Sequence, residues 1–474
     1  MTGPSNRLGL AALTALVVGS MVGAGIFSLP QNIARSAGPG AALLGWAISG
    51  LGMLMLAFVF QNLANRKPQL DAGIYAYAKA GFGDYIGFSS AWGYWICSLL
   101  GNVSFFVLIF SGLGYFVPAF GEGNTWQAIA CASVLLWGMH AMVLRGIGQA
   151  ALINAVVTVA KVVPIVVFVV IAAVGFRLEV FTADFWGTLS LGGLGGQLRG
   201  MMLITVWVFI GIEGASIYSR RAARRADVGR ATVIGFLGVL ALLMLVNLLS
   251  MGVLGQQQLA HLHNPSMAFV LEAIVGPWGA RLIIIGMVVS VLGALLAWVL
   301  LCAEVLHAAA GDGTMPAFLA RQNANDVPAN ALWLTNGLIQ LFLVITLFSA
   351  STYTSLVLLG ASMALVPYLF SAAYGVQVAW RGEGYADPSA PRRRDLVVAV
   401  LATVYALWLV YAGGVTQVLL SALLYAPGML MFALAKLQRG QPVFTPVERV
   451  IAVCVLAVAL AAVWGLWHGH LTLG

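Results

Sequence analysis

The sequence predicts an all-α integral membrane protein whose chain crosses the bilayer many times. Three observations predict it. Hydrophobic residues make up 61% of the 474 positions and charged residues only 8%, against about 25% charged in soluble domains. Apolar runs of roughly 20 residues recur along the chain, each long enough to cross a ~30 Å hydrocarbon core as a helix, and mean hydropathy is +0.97. The alternating segments of about 10 residues that mark a membrane β-barrel do not occur. No loop is long enough for a soluble domain, which takes about 50 residues at least.

Gly, Pro and charge punctuation divides the runs into thirteen expected spans: 8–35, 41–64, 86–117, 126–143, 149–175, 198–219, 232–254, 281–307, 329–348, 354–379, 396–412, 416–435 and 450–468. The first resembles a signal peptide, with Arg7 ahead of an apolar stretch. Its length and the spans that follow mark it as uncleaved. With the N-terminus in the cytoplasm, eighteen of the 23 Lys and Arg fall on the cytoplasmic side. Only Arg35, Arg177, Arg199 and Arg281 fall outside, and Lys161 lies within a span. This is a positive-inside pattern. The net charge of +8 therefore reports topology rather than an acidic partner such as nucleic acid. The run SRRAARR at 219–225 also suits anionic membrane lipid. An odd span number puts the C-terminus on the outer side, and 446–474 reads as a helix added to a twelve-span core over 1–445.

Two spans contain sequences that poorly suit a continuous helix. The first holds Gly19, Gly23 and Gly25 within GSMVGAGIF, and the sixth holds Gly211 and Gly214 around Glu213. Glycine costs about 1 kcal/mol per helix position, and freed backbone groups at membrane depth must line a cavity or find protein partners. A single cluster reads equally well as close helix packing of the GxxxG kind. Two clusters five spans apart predict the broken helices of an inverted-repeat secondary transporter, with repeats over about 8–175 and 198–379. A half-helix restarting at Ala24 and Gly25 would offer N–H groups and a positive dipole end to a carboxylate. Half-helices ending at Met21 and near Ile210 would offer carbonyls to an α-ammonium.

In the third span, Tyr94, Ser98, Gly101, Asn102 and Phe105 recur at helical spacing, with Cys97 adjacent. That gives one partly polar face, which also suits interhelical packing. Trp207 and Ile210 share a face beside the second break. Trp298 lies mid-span, where its ring could face a cation or simply fill the core. Ionisable residues inside spans are functional candidates by default. Glu213 adjoins the second break. Lys161, just before Pro164, suits either a site that sodium would otherwise fill or a structural ion pair. Glu304 suits either the site or the cytoplasmic interface.

Cys97, Cys131, Cys302 and Cys454 all sit in apolar runs, so neither a disulfide framework nor a CxxC metal site is expected. The six His residues show no metal-ligand spacing in the membrane. No Walker A, dinucleotide fingerprint or nucleophile elbow is present, so no cofactor and no enzymatic role is expected.

The segments GSMVGAGIFSLP (19–30), DAGIYAYAKAGFGDYIGF (71–88), GYWICSLLGN (93–102), TVWVFIGIEGAS (205–216), AWVLLCAEVLHAAAGDGTMP (297–316) and LVPYLF (365–370) carry a resemblance. They resemble the amino acid–polyamine–organocation (APC) superfamily and, within it, the basic amino acid/polyamine antiporter family. The chain looks most like bacterial arginine/ornithine antiporters and is similar to arginine/agmatine antiporters. The resemblance implies a LeuT-type 5+5 inverted repeat in the bacterial inner membrane, commonly dimeric. It implies that the α-ammonium meets carbonyls of Met21, Trp207 and Ile210, and the carboxylate meets Ala24 and Gly25. The side-chain cation would lie over Trp298, near Asn102 and the Cys97–Ser98 backbone. Tyr94, Glu213 and Tyr368 would form the cytoplasmic gate, with Trp207 capping the substrate from the periplasm. Ala24 departs from a serine of the arginine/agmatine relatives, and Gly360 or Ser362 stands near a span-10 serine of theirs. Lys161 resembles the span-5 lysine of proton-coupled permeases, and Glu304 replaces a neutral residue.

These readings lead to an expected electroneutral exchange, arginine in for ornithine out, by alternating access. Arginine/agmatine, lysine/cadaverine and histidine/histamine exchange, or proton-coupled uptake, are the alternatives in the same class. A nutrient receptor on the same fold would be expected to carry a cytoplasmic signalling extension.

Overall fold

Lipid offers no partner to a backbone N–H or C=O, so a membrane chain satisfies them within helices. The computed structural model describes residues 9–70, 73–146, 151–213, 223–348, 352–385 and 391–471, and every regular element among them is helical. Arg7, Arg220, Arg221 and the continuation of the sixth span past Glu213 lie outside the described residues.

The helices are α1 (Leu10–Met21), α2 (Gly25–Ala34), α3 (Pro39–Arg66), α4 (Ile74–Phe82), α5 (Asp84–Gly114), α6 (Trp126–Leu144), α7 (Ala151–Val174), α8 (Leu178–Thr182), α9 (Thr188–Leu191) and α10 (Leu194–Phe209). There follow α11 (Arg225–Val253), α12 (Gln256–Ala260), α13 (Ser266–Val275), α14 (Pro277–Gly311), α15 (Ala329–Ile345), α16 (Thr352–Arg381), α17 (Arg392–Gln438) and α18 (Pro446–Trp467). Among the described residues, nine helices are long and apolar enough to cross a membrane, or ten if α1 and α2 form one bent span. Large apolar side chains stand exposed on the outer helices, Val174, Phe348 and Trp467 among them. Such a surface is stable in lipid and aggregation-prone in water. The chain is a multi-pass membrane protein.

Three features go beyond the expected spans. The first run is two helices bent by 50°. The eleventh and twelfth runs join in one 47-residue helix, α17, interrupted at Gly414 with φ 73° and ψ 175°. At 1.5 Å per residue α17 would reach ~70 Å unbroken, more than two bilayer cores, so the turn falls where the sequence separates 396–412 from 416–435. Finally, α4 and α13 are apolar helices of 9 and 10 residues inside stretches read as loops. They are too short for a spanning signal to register them.

Helix α5 is the centre: its apolar window is 94% buried, against 22% for α18 at the rim. It packs on α14 and α16, while α1 packs on α11. Small residues allow the close approach. A Cβ at Gly93 would lie 1.9 Å from the Tyr425 hydroxyl of α17. At one end of the bundle Arg66 pairs with Asp395 at 3.2 Å, and Lys67 pairs with Glu383, tying α3 to α17 and to the loop after α16. The Lys67 ammonium hydrogen-bonded to Glu383 holds that carboxyl below the usual carboxylate range.

Candidate functional site

The break between α1 and α2 meets the end of α10 inside the bundle. Helix α1 closes with Val22 N–H donating to the Val18 carbonyl at 2.8 Å, after which Val22 leaves helical space at ψ 84°. Helix α2 restarts at Gly25, so its first amides have no helical carbonyl upstream. Helix α10 ends at Phe209. Ile210 turns outward at ψ 131° and Gly211 takes φ 107°, a region that favours glycine. The Ser20 hydroxyl donates to the Gly211 carbonyl at 2.8 Å and bridges the two interruptions. A Cβ at Gly211 would stand 2.7 Å from the Ser20 carbonyl oxygen, and one at Gly25 would stand 2.8 Å from Val208. Gly211 is therefore fixed by contact as well as by conformation, and Gly25 by contact.

Glu213 is buried two residues beyond the turn. Its carboxylate accepts from the Tyr94 hydroxyl of α5, from the Tyr368 hydroxyl of α16 at 2.9 Å, and from Gly211 N–H at 3.3 Å. Donors converging from separate elements match an acceptor-only carboxylate. They lock α5, α10 and α16 together at this level. A cavity of about 50 Å³ borders the cluster, lined by Tyr75, Tyr94, Glu213, Leu301 and Val305.

Trp207 stands in a slot made by three glycines. A Cβ would lie 3.1 Å from its ring at Gly25, 3.3 Å at Gly101 and 2.7 Å at Gly360. The Tyr353 hydroxyl, which accepts from Ser28 at 2.8 Å, borders the same indole. Beyond the slot, the Asn102 amide donates to the Ser98 carbonyl at 3.0 Å and to the Cys302 sulfur at 3.6 Å. Its Oδ1 is fully buried with no hydrogen-bond partner among the described residues. Cys97 is buried on the same helix, one turn from Tyr94. Trp298 lies one helical turn before Cys302 on α14 and is half-buried. Lys161 on α7 donates to the Gly19 carbonyl at 2.9 Å, in the last turn before the first interruption.

The structure thus gathers Met21, Ala24, Gly25, Tyr94, Trp207, Ile210, Glu213 and Tyr368 around the two interruptions. Cys97, Ser98, Asn102 and Cys302 lie along the adjoining wall. Of the two span-10 candidates, Gly360 faces Trp207, while the Ser362 hydroxyl donates to Leu358 O of its own helix at 2.9 Å. Glu304 is exposed, away from the Cys302 face of α14. Sequence reasoning missed Ser20, Ser28, Gly101 as a Trp207 wall, Tyr353 and Cys302. Only Ser20 had a signal, a hydroxyl inside the first glycine cluster.

A family model described as amino acid permease matches residues 8–461. The chain is 62% identical over 477 residues to an arginine/ornithine antiporter of Pseudomonas aeruginosa, covering 99% of each. It is 47% identical to an L-lysine transport protein of Corynebacterium glutamicum, over 99% of this chain and 97% of that one. Against an arginine/agmatine antiporter of Chlamydia trachomatis the identity is 39%, over 96% of this chain and 95% of that one. The likeness read from the sequence motifs holds at full length, and the chain belongs to the amino acid permease family of the APC superfamily.

Proposed function

We propose that this protein exchanges cationic amino acids across the bacterial inner membrane, taking up arginine for ornithine by alternating access. The observation that carries the reading is the meeting of the α1–α2 break with the end of α10 at Ser20 and Gly211, together with a buried Asn102 Oδ1 on α5 that has no partner among the described residues. The α2 amides at Ala24 and Gly25 bind the α-carboxylate, favoured by the helix dipole. The carbonyls of Met21, Trp207 and Ile210 take the α-ammonium. The guanidinium lies over Trp298, donates to Asn102 Oδ1 and borders the Cys97–Ser98 backbone, with Ser362 nearby on α16. A donor-only guanidinium suits an orphan acceptor, and a tryptophan face adds about 0.5–2 kcal/mol. Tyr94, Glu213 and Tyr368 close the cytoplasmic gate, and Trp207 caps the site from the periplasm. The names of the Pseudomonas and Chlamydia relatives support the substrate class.

The fold that serves this cycle is a 5+5 inverted repeat over about 8–175 and 198–379, followed by spans 11 and 12. Residues 446–474 add a thirteenth helix to the 1–445 core, the N-terminus is cytoplasmic and the C-terminus periplasmic. The bundle of spans 1, 2, 6 and 7 rocks against the rest, and the chain forms a homodimer in lipid. The break between α1 and α2, the end of α10 at the second glycine cluster and the excess of Lys and Arg assigned to one side support this arrangement.

Counterflow in proteoliposomes tests the exchange: labelled arginine enters only vesicles preloaded with ornithine or arginine. A second reading, proton-coupled uptake of a cationic amino acid, is favoured by the Lys161 contact with Gly19, which sets an ionisable group beside the first interruption. Uptake into empty vesicles driven by a pH gradient, and lost in Lys161→Met, would replace the exchange reading with that one.

A further inference from the structure

A second polar cavity lies on the α2 side of Trp207 and is left unused by the exchange described above. It has a volume of about 120 Å³ and is walled by Gln31 of α2 and Arg35 just after it, Ser111 of α5, Glu122, and His263 and Asn264 between α12 and α13. Tyr353 also lines it, and the Tyr353 hydroxyl borders Trp207. The cavity therefore ends against the outer cap of the central site.

Its wall is built for a donor-rich guest. Gln31 is only 3% exposed. Its amide nitrogen is held by the Leu262 carbonyl, yet its Oε1 has no partner among the described residues. The Oδ1 of Asn264 is likewise buried without a partner, while its backbone carbonyl accepts from Ser111. Both orphans are amide carbonyl oxygens, which can only accept, and leaving them unpaired costs free energy that a donor restores. Glu122 adds a carboxylate, held at 2.7 Å by His263 Nδ1. Arg35 adds a guanidinium, oriented by the Ala260 carbonyl and the Thr354 hydroxyl, each at 3.2 Å. The Glu122 carboxylate and the Arg35 guanidinium in the wall, with two orphan acceptors buried just behind it, complement a molecule with two donor-only cationic groups and one carboxylate.

We propose that this cavity is a second binding site for a cationic amino acid, loaded before the substrate passes Trp207. Arg35 takes the α-carboxylate, and Gln31, Asn264 and Glu122 take the ammonium and guanidinium. The inference rests on the exchange reading for its substrate class. Equilibrium dialysis of labelled arginine against the purified full chain tests it. The expected result is two arginines per chain, with the dissociation constant of one site raised at least tenfold by Gln31→Leu and by Glu122→Gln. Asn102→Leu weakens the other site alone. Glu122 lies in an exposed loop, so Glu122→Gln carries the test if Gln31→Leu fails to fold. One arginine per chain, unaffected by Glu122→Gln and lost in Asn102→Leu, overturns the second site and leaves the exchange standing. No arginine bound by the unaltered chain overturns both.

Discussion

Replacing Tyr368 by Phe isolates the inner gate, because it removes one oxygen and keeps the ring. Tyr368 is 1% exposed and packs edge-on against Phe60 at 6.1 Å, so the shape of the core survives. What is lost is the 2.9 Å hydrogen bond that joins α16 to the Glu213 carboxylate, with Tyr94 and Gly211 among the donors that remain. A hydrogen bond to a charged group contributes about 1.5–3 kcal/mol. At ~1.4 kcal/mol per tenfold, the closed state is disfavoured by a factor of roughly 10 to 150. Cys97 reports the change, since it is buried one turn from Tyr94. With exposed Cys131 and Cys454 replaced by Ser, a membrane-impermeant thiol reagent added from the cytoplasmic side labels Cys97 faster in Tyr368→Phe. The increase is bounded by the same factor. Labelling and exchange rates both unchanged, in a variant of unaltered Tm, would refute the assignment of this cluster as a gate.

Three further outcomes follow from the same geometry. Trp298→Leu weakens arginine binding by about 0.5–2 kcal/mol more than Trp298→Phe, because only the ring retains a face for a cation; equal losses in a competition assay remove the cation–π contact. Gly211→Ala puts a side chain at φ 107° and 2.7 Å from the Ser20 carbonyl, costing about 1–3 kcal/mol and lowering Tm, whereas an unchanged Tm means the two interruptions are not in tight contact. The folded pKa of Glu383 is depressed by Lys67, so the pair's contribution is present above the ordinary glutamate value of 4.5 and lost as pH falls through the lower folded value. Being half-exposed it amounts to under about 1 kcal/mol. Lys67→Met flattens that acid limb of a thermal-stability profile, and an unchanged limb shows that the pair carries none of it.

The sequence by itself determined what depends on neighbours along the chain. Apolar run length and sparse charge dictated a multi-pass helical protein, because burial in lipid is a local property of about 20 consecutive residues. Glycine clusters marked where α1 ends and α2 begins and where α10 stops just before Gly211, because glycine's cost and its freedom at positive φ act at the residue itself. The motif resemblance pointed to the family through the same local segments. Tertiary structure decided everything that depends on partners. Ser20 meets Gly211 across 191 positions, Tyr94 meets Glu213 across 119, and Tyr368 meets it across 155. Gly101 and Gly360 form a slot for Trp207 only because α5 and α16, which pack on each other, each bring a glycine against its ring. The choice between Gly360 and Ser362 was a question of helix rotation, which a neighbour fixes and a periodic apolar helix does not. The orphan acceptors of Gln31, Asn102 and Asn264 are visible only when every other hydrogen bond around them is known, since an unpaired atom is a property of the whole packed surroundings.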